Sequence, residues 1–214
     1  MTIVSFKHKF IFIKSGKVGG TSIQLALFPH LGERDIVTRI SPSEGNYHPR
    51  NIQYKKTTFK SHMSAEAIST ALGPDIYNTF FVFTIERNFI DKVISFYAME
   101  KYRELQRNNC NLEFNEFINR KNFPQDLNKY SICAGNALLP AVDKCYTYNN
   151  LWMLENDFKK LFHIDLNLER FNSKRQYRRN QTFVEPVISN RQKNIVREYY
   201  NINKTFLKTF WLGS

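Results

Sequence analysis

Four apolar residues in a row, Phe10-Ile11-Phe12-Ile13, run straight into Lys14-Ser15-Gly16-Lys17-Val18-Gly19-Gly20. Thr21 then opens a second apolar stretch, 23–27, that Pro29 stops. This junction constrains the fold more than any other part of the chain. An unbroken apolar run so short is a strand buried on both faces, the habit of parallel sheets covered by helices. Glycines after it permit a tight turn, and the helix beyond returns the chain over the sheet. The junction predicts a strand, a glycine loop and a helix, the unit from which α/β domains are built.

The same unit is suited to holding an anion. Glycines expose backbone N–H groups, and the first helical turn adds its unpaired amides and positive dipole end. Thr21 and Ser22 bring hydroxyl donors, and Lys17 places a positive charge at the mouth of the loop. A plain strand-to-helix turn would use the same glycines, but the lysine and two hydroxyls at the helix start argue for a ligand. The loop is not a Walker A sequence, because its lysine precedes the glycine pair instead of following it. It holds no G-x-G-x-x-G either.

Along the rest of the chain, 32–60 reads as irregular connection in which 57–60 forms a short strand. That strand ends at Ser61-His62 on the ligand side of the sheet. A helix over 64–72 closes at Gly73-Pro74. Residues 79–85 make the strongest strand, and Asn88 caps a helix whose Ile90, Val93, Ile94 and Tyr97 follow i, i+3, i+4, i+7. Further helices are expected over 114–118, 128–133, 154–162 and 189–200, with another strand over 144–148. The whole predicts one α/β domain over 1–214, P-loop-like and three-layered, with a central, mainly parallel sheet flanked by helices.

Composition narrows the function. Hydrophobic residues at 42% and charged residues at 23% exclude a disordered tail, a collagen-like fibre and a coiled-coil rod. The net charge of +12 attracts nucleotide phosphates, acidic glycans, nucleic acid or an anionic membrane surface. Three cysteines, Cys110, Cys133 and Cys145, with no C-x-x-C pair, speak against a disulfide framework or a zinc knuckle and for a reducing compartment. No His or carboxylate cluster has metal-ligand spacing, so no metal is expected. The apolar run at 10–13 is too short for a membrane span or a signal peptide. The expectation is a soluble, unanchored protein of the cytoplasm, bacterial or in a virus's host cell.

The loop Gly16-Lys17-Val18-Gly19-Gly20-Thr21-Ser22 resembles the P-K-T-G-G-T-S loop of sulfotransferases, particularly the carbohydrate sulfotransferases related to heparan sulfate 2-O-sulfotransferases. Residues 81–97 (FVFTIERNFIDKVISFY) are similar to that family's second motif, F-x-F-x-R-N-P-x-x-R-x-x-S-x-Y. The resemblance implies a co-substrate, 3′-phosphoadenosine-5′-phosphosulfate (PAPS). Its 5′-phosphosulfate would be gripped by Gly16, Lys17, Val18, Gly19, Gly20, Thr21 and Ser22, and its 3′-phosphate by Arg87 and Ser95. A late basic loop meets the 3′-phosphate in many sulfotransferases, which brings in Lys174 and Arg175. The spacing agrees: Arg87 stands at a strand's carboxyl end, where α/β sheets gather ligands. Ser95 lies two turns along the helix from Asn88, on the same face. Departures are Gly16 for the motif's proline, Val18 for its Thr or Ser, Phe89 for its second proline and Lys92 for Arg. Val18 removes one hydroxyl donor.

The implied reaction passes a sulfuryl group in line from PAPS to a hydroxyl acceptor, most plausibly of a carbohydrate. Like phosphoryl transfer, it needs positioning and charge neutralisation more than covalent chemistry. Lys17 would stabilise the leaving phosphate. His62 is the candidate base, both by its place after a strand and by the resemblance, with His48 and Glu86 in reserve. Two other readings remain at this stage. One is a basic nucleic-acid-binding protein, for which no helix-turn-helix, zinc finger or RNA-binding aromatic signature is present. The other is a P-loop-like nucleotide kinase, for which no carboxylate stands ready to hold magnesium.

Overall fold

The computed structural model of the chain describes residues 2–39, 48–134, 137–170 and 183–200. It is a mixed α/β fold around a five-stranded sheet. Strand β1 (Thr2–Ser5) pairs antiparallel with β2 (Phe10–Ile13) and with β3 (Ile36–Val37). Beyond β2 come β6 (Phe81–Glu86) and then β9 (Lys144–Thr147), both parallel to it, giving the order β3-β1-β2-β6-β9. Four strands run one way, and β1 alone runs against them. Two short hairpins stand outside this sheet: β4 (Gln53–Tyr54) with β5 (Thr57–Thr58), and β7 (Ser131–Ala134) with β8 (Ala137–Pro140).

Alternation along β2 explains how both faces are covered. Phe10 and Phe12 point into a cluster with Phe83, with Ile23 of helix α1 (Gly20–Leu27) and with Phe158 of α7 (Leu151–Phe162). Ile11 and Ile13 point the other way, into a cluster with Val82, with Ile68 of α2 (Ala65–Leu72) and with Leu127 of α6 (Leu127–Tyr130). All four β2 side chains are fully buried, and each contributes roughly 1.5–3 kcal/mol by leaving water. Phe12 stacks on Phe83 at 5.0 Å, which locks the β2–β6 register from the side. A third cluster joins α4 (Phe89–Asn108) to α5 (Phe114–Asn119) and α8 (Asn190–Tyr199) through Tyr97, Phe117 and Val196.

The caps fall where their chemistry requires. Ser64 accepts from the Ala67 amide before α2, Asn88 from the Ile90 amide before α4, and Ser189 forms a capping box with Gln192 before α8. The chain does not stop at Gly73-Pro74, because Pro74 begins the short helix α3 (Pro74–Tyr77), where a missing N–H costs nothing.

Two expectations need correction. The strand expected over 57–60 belongs to the β4–β5 hairpin and not to the main sheet. The helix expected over 128–133 ends at Tyr130, and Ser131 starts β7. The expectation of a mainly parallel sheet holds: four of the five strands run one way, and the antiparallel pairings are those that β1 makes with β2 and β3.

Candidate anion-binding site

Strands β2, β6 and β9 are parallel neighbours, so the chain leaves all three at one edge of the sheet. The glycine loop follows β2, Arg87 follows β6 and Tyr148 follows β9. That common edge is where α/β folds place ligands.

Hydrogen bonds between side chain and backbone shape the loop. Ser15 Oγ donates to the Ile85 carbonyl at 2.6 Å and pins the loop's first residues to β6. Lys17 and Gly19 take positive φ, 60° and 73°, and the Gly19 carbonyl accepts from the Ser22 amide at 2.9 Å to open α1. Gly20 is required by packing: a Cβ there would stand 2.7 Å from the side chain of Lys14. Lys14 is buried beneath the loop, and its Nζ donates to Thr21 Oγ1 at 2.8 Å. Val18 is wholly buried in the core, so only its backbone can serve a ligand.

Tyr148 joins the loop to Arg87. A Cβ on Gly19 would lie 2.6 Å from Tyr148 Cε2, so the ring rests directly on the loop. The Arg87 guanidinium carbon sits 4.4 Å from the centre of the same ring. Lys17 reaches towards α4, its Nζ 3.6 Å from Met99 Sδ, one helical turn beyond the half-buried Ser95. The loop, Arg87 and the Ser95 face of α4 therefore lie together.

His62 arrives at the loop's first residue. Its Nδ1 is 3.2 Å from the Lys14 carbonyl oxygen. A carbonyl only accepts, so Nδ1 carries the hydrogen and Nε2 is the bare nitrogen able to take a proton. Desolvation of the ring's inner edge lowers its pKa, and the charges of Lys129 and Lys14 push the same way, against the bond to the Lys14 carbonyl. The residue's outer edge is exposed, and water there screens part of this effect. The ring is neutral at pH 7.

Beneath these groups lies a buried ionic network. Lys92 Nζ donates to Glu86 Oε1 and Oε2 at 2.9 and 3.0 Å and pairs with Asp126 Oδ2 at 2.9 Å. Glu86 also accepts from Tyr130 Oη at 2.9 Å and from the Arg87 amide at 2.8 Å. Asp126 accepts from the Gly16 amide at 2.7 Å and from Lys129. Burial alone would lower the Lys92 pKa, but the two carboxylates outweigh it and raise it. Burial would raise Asp126, yet Lys92 and Lys129 hold it at about 2.

The network revises two sequence readings. Glu86 is 1% exposed and bonded on both oxygens, so it has no access to a substrate hydroxyl. The Gly16 amide is committed to Asp126 and is not offered to a ligand. His48 is exposed beside residues that lie outside the description, and Lys174 and Arg175 fall outside the described residues. Sequence reasoning missed Asp126, Tyr130 and Tyr148. Asp126 follows Gln125 in an unpatterned stretch and Tyr148 comes just after a strand, so neither carries a local signal.

Among the described residues no group of three or more His, Cys, Asp or Glu side chains could hold a metal ion, and no helix is long and apolar enough to cross a membrane. No protein-family model matches the chain, and no curated protein and no solved structure matches it either.

Proposed function

We propose that the chain is a PAPS-dependent sulfotransferase acting on a hydroxyl of a carbohydrate acceptor. One observation carries this reading: the Tyr148 ring touches both Gly19 and Arg87, so the two motifs that resemble sulfotransferase sequences share one surface. The fold reading that goes with it, P-loop-like and three-layered, is supported by α1 and α7 on one face of the sheet and α2 and α6 on the other.

Bound PAPS would supply an activated sulfuryl group and a phosphate leaving group. The chain's part is to grip and neutralise. The amides of Gly19 and Gly20 offer donors at a helix N-terminus, where each such donor on developing charge is worth on the order of 3 kcal/mol, while the buried Thr21 hydroxyl is held from below by Lys14. Lys17 brings the mobile cation, and Arg87 with Ser95 serves the second phosphate. His62 Nε2 accepts the acceptor's proton. The net charge of +12 favours an acidic glycan as that acceptor.

Thermal unfolding with 3′-phosphoadenosine 5′-phosphate, ATP, AMP and RNA tests the reading. The first ligand should raise the melting temperature selectively, as expected of anything that binds only the folded state. No shift at millimolar concentration, or an equal shift with ATP or RNA, would contradict it.

A further inference from the structure

One ammonium group sits between the two halves of the candidate site. Following the contacts gives Gly16 amide, Asp126, Lys92, Glu86, Arg87 amide, each link a hydrogen bond or ion pair of 2.7 to 2.9 Å. Lys92 is the middle link, 1% exposed, and it rises from the second turn of α4, the helix that also carries Ser95 and Met99. The glycine loop and the end of β6 are otherwise joined near here by Ser15 Oγ on the Ile85 carbonyl.

We infer that Lys92 is a positioning residue that fixes the distance between the Gly16 turn and Arg87, so that a change at either carboxylate is felt at both. A buried cation shared by two carboxylates has strong directional demands, because without it Glu86 would be a bare charge in low dielectric and Asp126 would keep only the partly exposed Lys129. Moving Asp126 must therefore move Lys92, and moving Lys92 must move Glu86 and the amide it holds. Coupling of this kind is reciprocal. The inference deepens the sulfotransferase reading, since it supplies a fixed gap for a ligand with two phosphates. It rests on that reading only for the ligand.

Amide hydrogen exchange without nucleotide tests the coupling by itself, in wild type, Asp126→Asn, Glu86→Gln and Lys92→Arg. Asp126→Asn should speed exchange at the Gly16 amide and also at the Arg87 amide, which Asp126 does not touch, by about tenfold or more. Glu86→Gln should do the converse at Gly16. Lys92→Arg, which keeps the charge and can still bridge, should hold both amides near wild type, while amides inside α7 stay protected in every variant. Effects confined to the altered side would overturn the proposal. So would a uniform rise that includes α7, or failure of both carboxamide variants to fold, because the network would then support the fold at large and not this spacing.

Nucleotide affinity is a second readout. If the wild type binds 3′-phosphoadenosine 5′-phosphate, Asp126→Asn should weaken that ligand about tenfold while 5′-AMP changes far less. Equal weakening of both would overturn the proposal. A wild type that binds neither would sink the sulfotransferase reading and leave the exchange result to decide the coupling.

Discussion

The two ends of the parallel strands make opposite use of polar groups. At the amino end, α2, α3 and the β7–β8 hairpin enclose a groove of about 640 Å³ that includes Tyr77, Val82, Cys133 and Asp143. Two of its polar groups are spent internally: Tyr77 Oη donates to the Ala141 carbonyl, and Asp143 Oδ2 accepts from the Val82 amide. At the carboxyl end there is a glycine loop, an arginine on a tyrosine ring, a neutral histidine and a buried ionic network that holds them. Tyr77 and Asp143 are tied to the groove's own walls, whereas the candidate donors at the carboxyl end reach one surface from the ends of neighbouring parallel strands.

Substitutions at the two ends should separate accordingly. The largest effect belongs to Lys92→Met, which leaves Glu86 buried without its cation and Asp126 with Lys129 alone, and should cost about 3–5 kcal/mol, read as a lowered urea midpoint. Wild-type stability in Lys92→Met would remove the network from the account.

A pair of glycines sharpens the contrast. Gly19 and Gly73 both have positive φ, 73° and 87°, but a Cβ at Gly19 meets Tyr148 whereas nothing lies within 4 Å of one at Gly73. Each Gly→Ala change should cost about 1–3 kcal/mol in backbone strain. Only Gly19→Ala should abolish the thermal response to 3′-phosphoadenosine 5′-phosphate. Loss of that response in Gly73→Ala would mean the ends are not independent.

Acid should act on the carboxyl end through Asp126. Its folded pKa, about 2, lies below the ordinary carboxylate value, so its contribution is complete above about pH 4 and disappears as pH falls towards 2. The size is roughly 2 kcal/mol. Urea midpoints measured from pH 5 to pH 2 should fall less steeply in Asp126→Asn than in wild type, and equal slopes would count against the assignment. At the other end, Tyr77→Phe removes one hydrogen bond to a carbonyl. It should cost about 1 kcal/mol and leave the nucleotide response unchanged.

The smallest effect concerns His62. With its pKa lowered, the base form persists well below the ordinary histidine value of about 6.5, so the transfer rate should stay flat between about pH 8 and 6.5. A rate halved near pH 6.5 would point to a different base.

The sequence revealed what is local. The apolar run of β2, the helix ending at Leu72, the Asn88 cap, the periodicity of α4 and the glycine loop each depend on residues a few positions apart, and each stands where it was expected. Strand β1 was not anticipated in its antiparallel place, because four residues at an inner position gain their strand character from β2 and β3 on either side. Asp126 bonds to Gly16 across 110 positions, and such a contact has no signature in either segment. Lys92 was visible only as a replacement for arginine in a motif. Its burial between two carboxylates depends on α6 folding back against β6, which no window of sequence contains. Tyr148 likewise gained its role from where β9 ends.

The central claim is that the glycine loop and Arg87 grip one molecule together. A crystal structure with 3′-phosphoadenosine 5′-phosphate tests it most directly. The 5′-phosphate should lie on the amides of Gly19 and Gly20, with the 3′-phosphate against Arg87 and Ser95. Density for the nucleotide in the amino-end groove, or with only one phosphate held by the protein, would contradict the account.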